Sequence, residues 1–311
     1  EVFAQHRREN FTISDTGDVT PLNYPQFKTI RVSRNQFLTL SEDHIFSPAL
    51  LSTARFSFSR TNPANPSPSG IRGPQYSFRS DQEIGTMNIG GVTGMGPNVA
   101  QSNFRQKVFT WSDDLFYTRG RHSLKFGTLV NHYRQHIEIH VNEVGTVTFA
   151  NVNSFLQGLT SGYSVQDPGS LTERYYNFNT LGLYVQDDFR LRPNLTFNIG
   201  LRYEFQTVPD ELKGNQAALR DIQHDAQGTL GPLYQNPSLR NFSPRFGFAW
   251  DVGGDGKTAV RGGFAQLYDI GAFGVTYAIS AQGTPPLSCY SSEAGQPLTV
   301  PFSFRVPCKV L

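Results

Sequence analysis

Leu181-Gly-Leu-Tyr-Val-Gln-Asp-Asp-Phe-Arg190 and Leu195-Thr-Phe-Asn-Ile-Gly-Leu-Arg-Tyr-Glu-Phe205, separated by a break at Arg192-Pro-Asn194, decide how this chain folds. Every odd position of the second segment is apolar (Leu195, Phe197, Ile199, Leu201, Tyr203, Phe205), and the even ones are Thr196, Asn198, Gly200, Arg202 and Glu204. The first segment repeats this, with Leu181, Leu183, Val185 and Phe189 on one side and Thr180, Gly182, Gln186, Asp188 and Arg190 on the other. A period of two marks a strand, whose successive side chains alternate between faces. The Arg-Pro-Asn break supplies turn chemistry. Strands of soluble proteins usually run about 5–6 residues, whereas a tilted strand crossing a bilayer needs about 9–11. Segments this long predict a membrane-spanning hairpin.

The composition of the two sides points the same way. Aromatic residues cluster at the ends of the apolar side, and the other side carries Gly, Asn, Thr and Gln with occasional Arg and Glu. That is the expectation for a lipid-facing band with aromatic girdles around a wet lumen. Leu181, Leu183, Val185, Leu195, Phe197, Ile199, Leu201 and Tyr203 are therefore expected to face lipid, and Asn198, Arg202 and Glu204 the lumen.

Working outward, three more hairpins emerge. Phe27 to Leu40 and Ala49 to Arg60 alternate around a break near Ser41-Glu-Asp-His44. Lys107 to Tyr117 returns through Thr118-Arg-Gly-Arg121 to a segment with Leu124, Phe126, Thr128 and Val130 on one side. Phe242 to Val252 returns through Gly253-Gly-Asp-Gly256, a tight turn, to Lys257–Tyr268. Here Phe246, Phe248 and Trp250 are expected in the lipid band, and Arg245 and Arg261 in the lumen. The stretch up to about Gln26 has no sustained period, so its structure stays open, and Val152 to Leu159 has the pattern of a short helix. Connections alternate: short at 41–48, 118–121, 191–194 and 253–256; long at 61–103, 135–170 and 207–240. An outer-membrane barrel, with short periplasmic turns and long extracellular loops, has that asymmetry. The fold expected is all-β, an antiparallel transmembrane β-barrel section with about ten strands of pattern.

Composition bounds the rest. The chain has 311 residues, 38% hydrophobic and 13% aromatic, with Phe 25 against Trp 2. No run of about 18 apolar residues exists, so no transmembrane helix is expected. A mean hydropathy below zero does not exclude a membrane, since barrel strands are polar at alternate residues. A net charge of +2 argues against a nucleic-acid binder driven by a basic field. The chain opens at Glu1 with no Met and no signal-peptide pattern, and is read as an internal fragment. The two cysteines, Cys289 and Cys308, lie in a Pro/Ser/Gly-rich segment. They are expected to pair across a loop in an oxidising compartment; the alternative is two unrelated thiols.

Gly120-Arg-His-Ser-Leu-Lys-Phe-Gly127, Tyr184-Val-Gln-Asp-Asp-Phe189, Asn194-Leu-Thr-Phe-Asn-Ile-Gly-Leu-Arg-Tyr-Glu204 and Ser243-Pro-Arg-Phe-Gly-Phe-Ala-Trp-Asp251 resemble the barrel of TonB-dependent outer-membrane receptors. The likeness, over roughly residues 105–270, is to the Oar-like branch, whose members often carry a carboxypeptidase-regulatory-like domain. The resemblance implies a plugged barrel of about 22 strands in the outer membrane of a Gram-negative bacterium. It also implies TonB-driven uptake of a bulky extracellular ligand such as a carbohydrate, peptide or metal chelate. No plug, no TonB-contacting box and no terminal aromatic strand are found, since the chain stops at Lys309-Val-Leu311. The whole of 1–311 is thus read as partial barrel, with the plug and remaining strands elsewhere. A surface adhesion protein of the Oar type and a passive porin remain as alternatives.

No constellation points to catalysis or a cofactor. Gly256-Lys257-Thr258 lacks the upstream Gly and the following helix of a phosphate loop, and Gly90-Gly-Val-Thr-Gly-Met-Gly96 lacks a strand–helix setting. Asp113-Asp114 and Asp187-Asp188 face opposite sides of a strand and are read as strand-end residues near a turn. His132, His136 and His140 share a strand face, but the outer two would stand about 26 Å apart, too far for one ion. They are read as a polar strand extension above the membrane, with a metal or metal-chelate site as the alternative.

Overall fold

The computed structural model describes residues 2–14, 27, 30–66, 70–73, 75–97, 100–235, 238–268 and 286–294; for 2–14 and 293 only the backbone is described. In chain order the elements are β1 (Val2–Ser14), β2 (Ile30–Ser47), β3 (Leu50–Thr61), β4 (Pro63–Asn65), β5 (Thr86–Ile89), β6 (Gln101–Arg119) and β7 (His122–His140). Next come β8 (Thr146–Phe149), α1 (Val152–Leu156), β9 (Gly162–Gln166), β10 (Glu173–Arg192) and β11 (Leu195–Gln206). The last are β12 (Asp210–Glu211), β13 (Ala217–Ala218), β14 (Thr229–Leu230), β15 (Phe242–Asp251), β16 (Ala259–Ala265) and β17 (Tyr290–Glu293).

One antiparallel sheet dominates, in the order β1-β2-β3-β6-β7-β10-β11-β15-β16. Each long strand pairs with the next long strand in sequence, as tight turns and hairpins require. Among the described residues β1 and β16 end the path without pairing, so the sheet is an open section of wall. The open-ended N-terminal stretch supplies β1, in register with β2 from Val2↔Glu42 to Ser14↔Ile30.

All four expected hairpins form, with corrected boundaries. The first turn is not at 41–44: β2 runs on to Ser47, pairs His44 with Ser52 and turns at 48–49. The charged residues hold their place in the ladder because Asp43 accepts a hydrogen bond from Thr53 Oγ1 at 2.7 Å, and Pro48 marks the turn instead. The 122–140 strand is longer than expected, and so is its partner 101–119. The connections are short at 48–49, 120–121, 193–194 and 252–258, and long at 62–100, 141–172 and 207–241. In a meander of antiparallel strands this alternation puts every long connection at one end.

Two of those long connections fold together with the segment after β16. β5, β8, β9 and β17 make a second sheet in the order β17-β9-β8-β5, with β5 parallel to β8. The expected short helix is α1, capped by Asn151, whose side chain accepts from the Ser154 N–H. Phe78, Ile89, Val147, Phe149 and Val165 form a buried cluster there. The great sheet is the reverse: Ile199 is 49% and Phe246 47% exposed, and the buried apolar side chains lie at its loop end and in the cap.

Candidate functional site: the two faces of the wall

Register sorts the side chains of the main sheet onto two faces. One face carries Leu38 and Leu40 of β2, Phe56 and Phe58 of β3, Trp111 and Leu115 of β6, Phe126 and Val130 of β7, and Leu181, Leu183 and Val185 of β10. It continues through Leu195, Phe197, Ile199, Leu201 and Tyr203 of β11 to Phe246, Phe248 and Trp250 of β15 and Val260 and Phe264 of β16. Aromatic rings meet across the strands, Phe58 with Phe109 at 5.1 Å between centroids and Tyr203 with Phe242 at 5.0 Å. Such pairs stabilise a sheet by about 0.2–1 kcal/mol each. No second layer of the described chain covers this face, so the large apolar groups lie bare.

The opposite face is polar and hydrogen-bonded from strand to strand. Thr110 donates to Asn131 at 2.7 Å, and Asn131 donates to Thr180 at 3.0 Å, linking β6, β7 and β10. Arg202 pairs with Glu204 at 2.7 Å, and Asn198 bonds Asp188. Arg245 and Arg261 belong to this face too, Arg245 lying opposite Gly200 and Arg261 opposite Ala249. Asp114 joins Arg55 at 3.0 Å on one side and the Tyr184 hydroxyl on the other. Gly127 makes that reach possible, because a Cβ there would stand 2.1 Å from the Tyr184 ring.

The paired aspartates do face opposite sides, but neither pair is at a strand end: Asp187-Asp188 lies inside β10, which continues to Arg192, and Asp113-Asp114 is further still from its turn. It sits well inside β6, which continues to Arg119. Asp113 stays in the apolar face by accepting from Ser52 Oγ at 2.7 Å, and Asp187 by contact with His122 Nδ1 at 2.6 Å. Neither couple shares a site, so there is no acid/base pair. Gly253–Gly256 forms the expected tight turn, where the Asp251 carboxylate accepts from the Gly254 and Gly256 N–H groups. The Gly90–Gly96 stretch bends back so that Met87 and Met95 pair.

Toward the loop end the two faces exchange character. On β7 the apolar positions are even up to Val130; beyond it they are odd, with Tyr133, Ile137 and Ile139 packing with Tyr176 and Phe178 of β10. On β10 the same switch falls between Leu181 and Phe178. The formerly apolar face then turns ionic: Arg60, Lys107 and Arg134 stand opposite one another on β3, β6 and β7. The signal was present in the sequence as a change of parity within 130–139 and 176–185, which a search for uninterrupted alternation passes over.

His132, His136 and His140 do lie on one face of this extension, and the structure does not gather the three imidazoles. It brings carboxylates to them instead. His136 Nε2 is 3.8 Å from Glu173 Oε2, and His140 contacts Glu138 at 2.9 Å and Glu143 at 2.5 Å. Held between these two carboxylates, His140 is pushed up to about 9, whereas burial pulls His136 below its ordinary value. The Tyr175 hydroxyl donates to Glu173 at 2.6 Å and lowers that carboxyl. Cys289 is disulfide-bonded; Cys308 and the 309–311 terminus lie outside the described residues.

An open antiparallel wall with a bare apolar band on one face and a hydrogen-bonded polar surface on the other defines a section of transmembrane β-barrel. The chain belongs to the outer membrane beta barrel domain family, whose model matches residues 1–309, and its place is the outer membrane of a Gram-negative bacterium. Among solved structures it is similar to the outer membrane transporter YddB from Escherichia coli, at 14% identity and a TM-score of 0.53. The match covers 86% of this chain and 30% of that one, so the likeness is one of fold and spans under a third of the transporter. No curated protein matches the chain.

Proposed function

We propose that this chain is part of the wall of an outer-membrane receptor that takes up a bulky ligand, with energy delivered through TonB to a plug in the full-length protein. The observation that carries the reading is the folded cap. The long connections are not bare linkers; β5, β8 and β9, joined by β17 from the segment after β16, build a small sheet with its own apolar core. A passive porin needs only a constriction, whereas capture of a large ligand needs a structured surface at the mouth. The segments resembling TonB-dependent receptors support the same reading.

In this reading the bare apolar face meets lipid through Leu183, Ile199, Leu201, Phe246 and Trp250, and the polar face, with Asn198, Arg202, Glu204, Arg245 and Arg261, lines the lumen. Cys289 in this reading pairs with Cys308, the second cysteine of the chain, in the oxidising space outside the inner membrane.

The test is uptake by living cells. Strains lacking the receptor, or lacking TonB, are offered labelled carbohydrates, peptides and metal chelates. The expected result is at least one compound whose accumulation needs both. Uptake that needs the receptor but not TonB would make it a passive channel. Unchanged uptake with lost attachment to surfaces or to other cells would make it an adhesion protein of the Oar type.

A further inference from the structure

We propose that His136, Glu138 and Glu173 form a binding site for a divalent transition-metal ion, with zinc as the reference cation, on the wall just above its apolar band. The proposal does not depend on what the receptor transports. His136 and Glu138 are two residues apart on β7 and so share a face; Glu173 of β10 stands directly opposite Glu138 in the ladder. One donor atom from each lies within 4.8 Å of the others. Around a tetrahedral ion with bonds of about 2.0–2.2 Å, neighbouring donors stand about 3.4 Å apart. The 3.8 Å between His136 Nε2 and Glu173 Oε2 closes to that with a small side-chain rotation.

Two further features point to a cation. Both His136 ring nitrogens are shielded from solvent and make no hydrogen bond, although buried polar atoms are ordinarily satisfied. Moreover, carboxylates directly opposite across an antiparallel pair repel one another, and Glu138 and Glu173 are so placed. The cations already near them are arranged around this gap. His140 takes one oxygen of Glu138 and leaves the other. Arg105 pairs across from His136 on β6. Lys213 Nζ lies 3.9 Å from Glu173 Oε2 on a side chain 55% exposed, which makes it the direct competitor and one able to swing into water.

The donor set selects the ion. One imidazole nitrogen with two carboxylate oxygens and an open fourth position suits zinc or a similar borderline ion, whereas calcium takes about 6–8 oxygens. Tyr175 fixes the ligands from behind: its ring stacks on His136 at 4.4 Å and its hydroxyl holds Glu173. Orienting groups of this kind are a usual part of metal sites.

The experiment uses the full-length protein purified from outer membranes and dialysed against buffered Zn2+, with metal counted per molecule and folding checked by heat-modifiable gel mobility. The wild type is expected to hold one more zinc than His136→Gln or Glu173→Gln, either of which weakens this site at least about 100-fold, the upper end of what even outer-shell changes cost. His132→Gln, on the same face but outside the donor set, leaves the count unchanged, and Lys213→Met tightens binding. If one ligand variant fails to fold, the other carries the comparison. Equal zinc in the wild type and the folded ligand variants, or the same loss in His132→Gln, overturns the proposal.

Discussion

Gly127 shows how much a single position can hold together. Tyr184 lies across it to reach Asp114, which in turn holds Arg55, so a polar chain runs from β10 over β7 to β6 and β3. Gly127→Val would place new carbon against both the ring and the Asp114 carboxylate, 2.7 Å away. We expect a loss of about 1–3 kcal/mol, the usual cost of overpacking, in urea unfolding of the full-length barrel from vesicles; an unchanged midpoint would mean the ring shifts without penalty. The neighbours Asn198 and Ile199 test the faces themselves. Ile199→Arg should cost about 2–4 kcal/mol if it meets lipid near mid-membrane, while Asn198→Arg, among polar groups beside Asp188, should cost far less. Comparable losses from the two substitutions would contradict the assignment of faces.

At the scale of elements, the exchange of faces along β7 and β10 fixes where the apolar band ends. The reason, on the proposed assignment of faces, is the surroundings: beyond Val130 the outer side would meet water and headgroups, while the inner side meets the folded loops. Single cysteines at 126, 128 and 130 of β7 should therefore react with a probe confined to hydrocarbon, and cysteines at 132 and 134 with a water-soluble one. Labelling by the hydrocarbon probe through 134 would move the boundary and undo this account. The cap depends on Arg79, which is 5% exposed, grips Asp81 through two hydrogen bonds and donates to the Gln166 carbonyl at 3.0 Å. Arg79→Met should loosen the cap by about 2 kcal/mol, the scale of hydrogen bonds to a charged group, seen as faster proteolysis within 75–97 with the wall unaffected. Asp81 is held below its ordinary value chiefly by that guanidinium. Its share of the stability is therefore complete above the ordinary carboxylate range and fades as pH falls through the lowered value.

For the molecule as a whole, the β1 and β16 edges, which pair with no further strand among the described residues, matter most. Backbone groups left unpaired in lipid cost several kcal/mol each, so a section of wall should not stand alone in a bilayer. The 311-residue chain, expressed by itself and added to planar membranes, is expected to give no channels of reproducible conductance. Steady unitary currents would show that these strands can close among themselves. Alkylation of the folded full-length protein, with and without reductant, checks the proposed Cys289–Cys308 pairing, which predicts that neither thiol reacts until it is reduced.

The sequence by itself determined the eight strands of the four hairpins, the alternation of short and long connections and the side of each of those strands that is apolar. All of these follow from local pattern: a period of two between turn residues is written in neighbouring positions. It misplaced the turn at 41–44 and shortened β6 and β7, because charged residues inside a strand are tolerated only when a partner strand supplies hydrogen bonds, as Thr53 does for Asp43. Only the tertiary structure decided that two distant connections and the segment after β16 fold into one cap, that β5 runs parallel to β8, and that Glu173 stands beside His136 and Glu138. Those contacts depend on cross-strand register between remote segments, and on which surroundings each face meets at a given height, neither of which a local period carries.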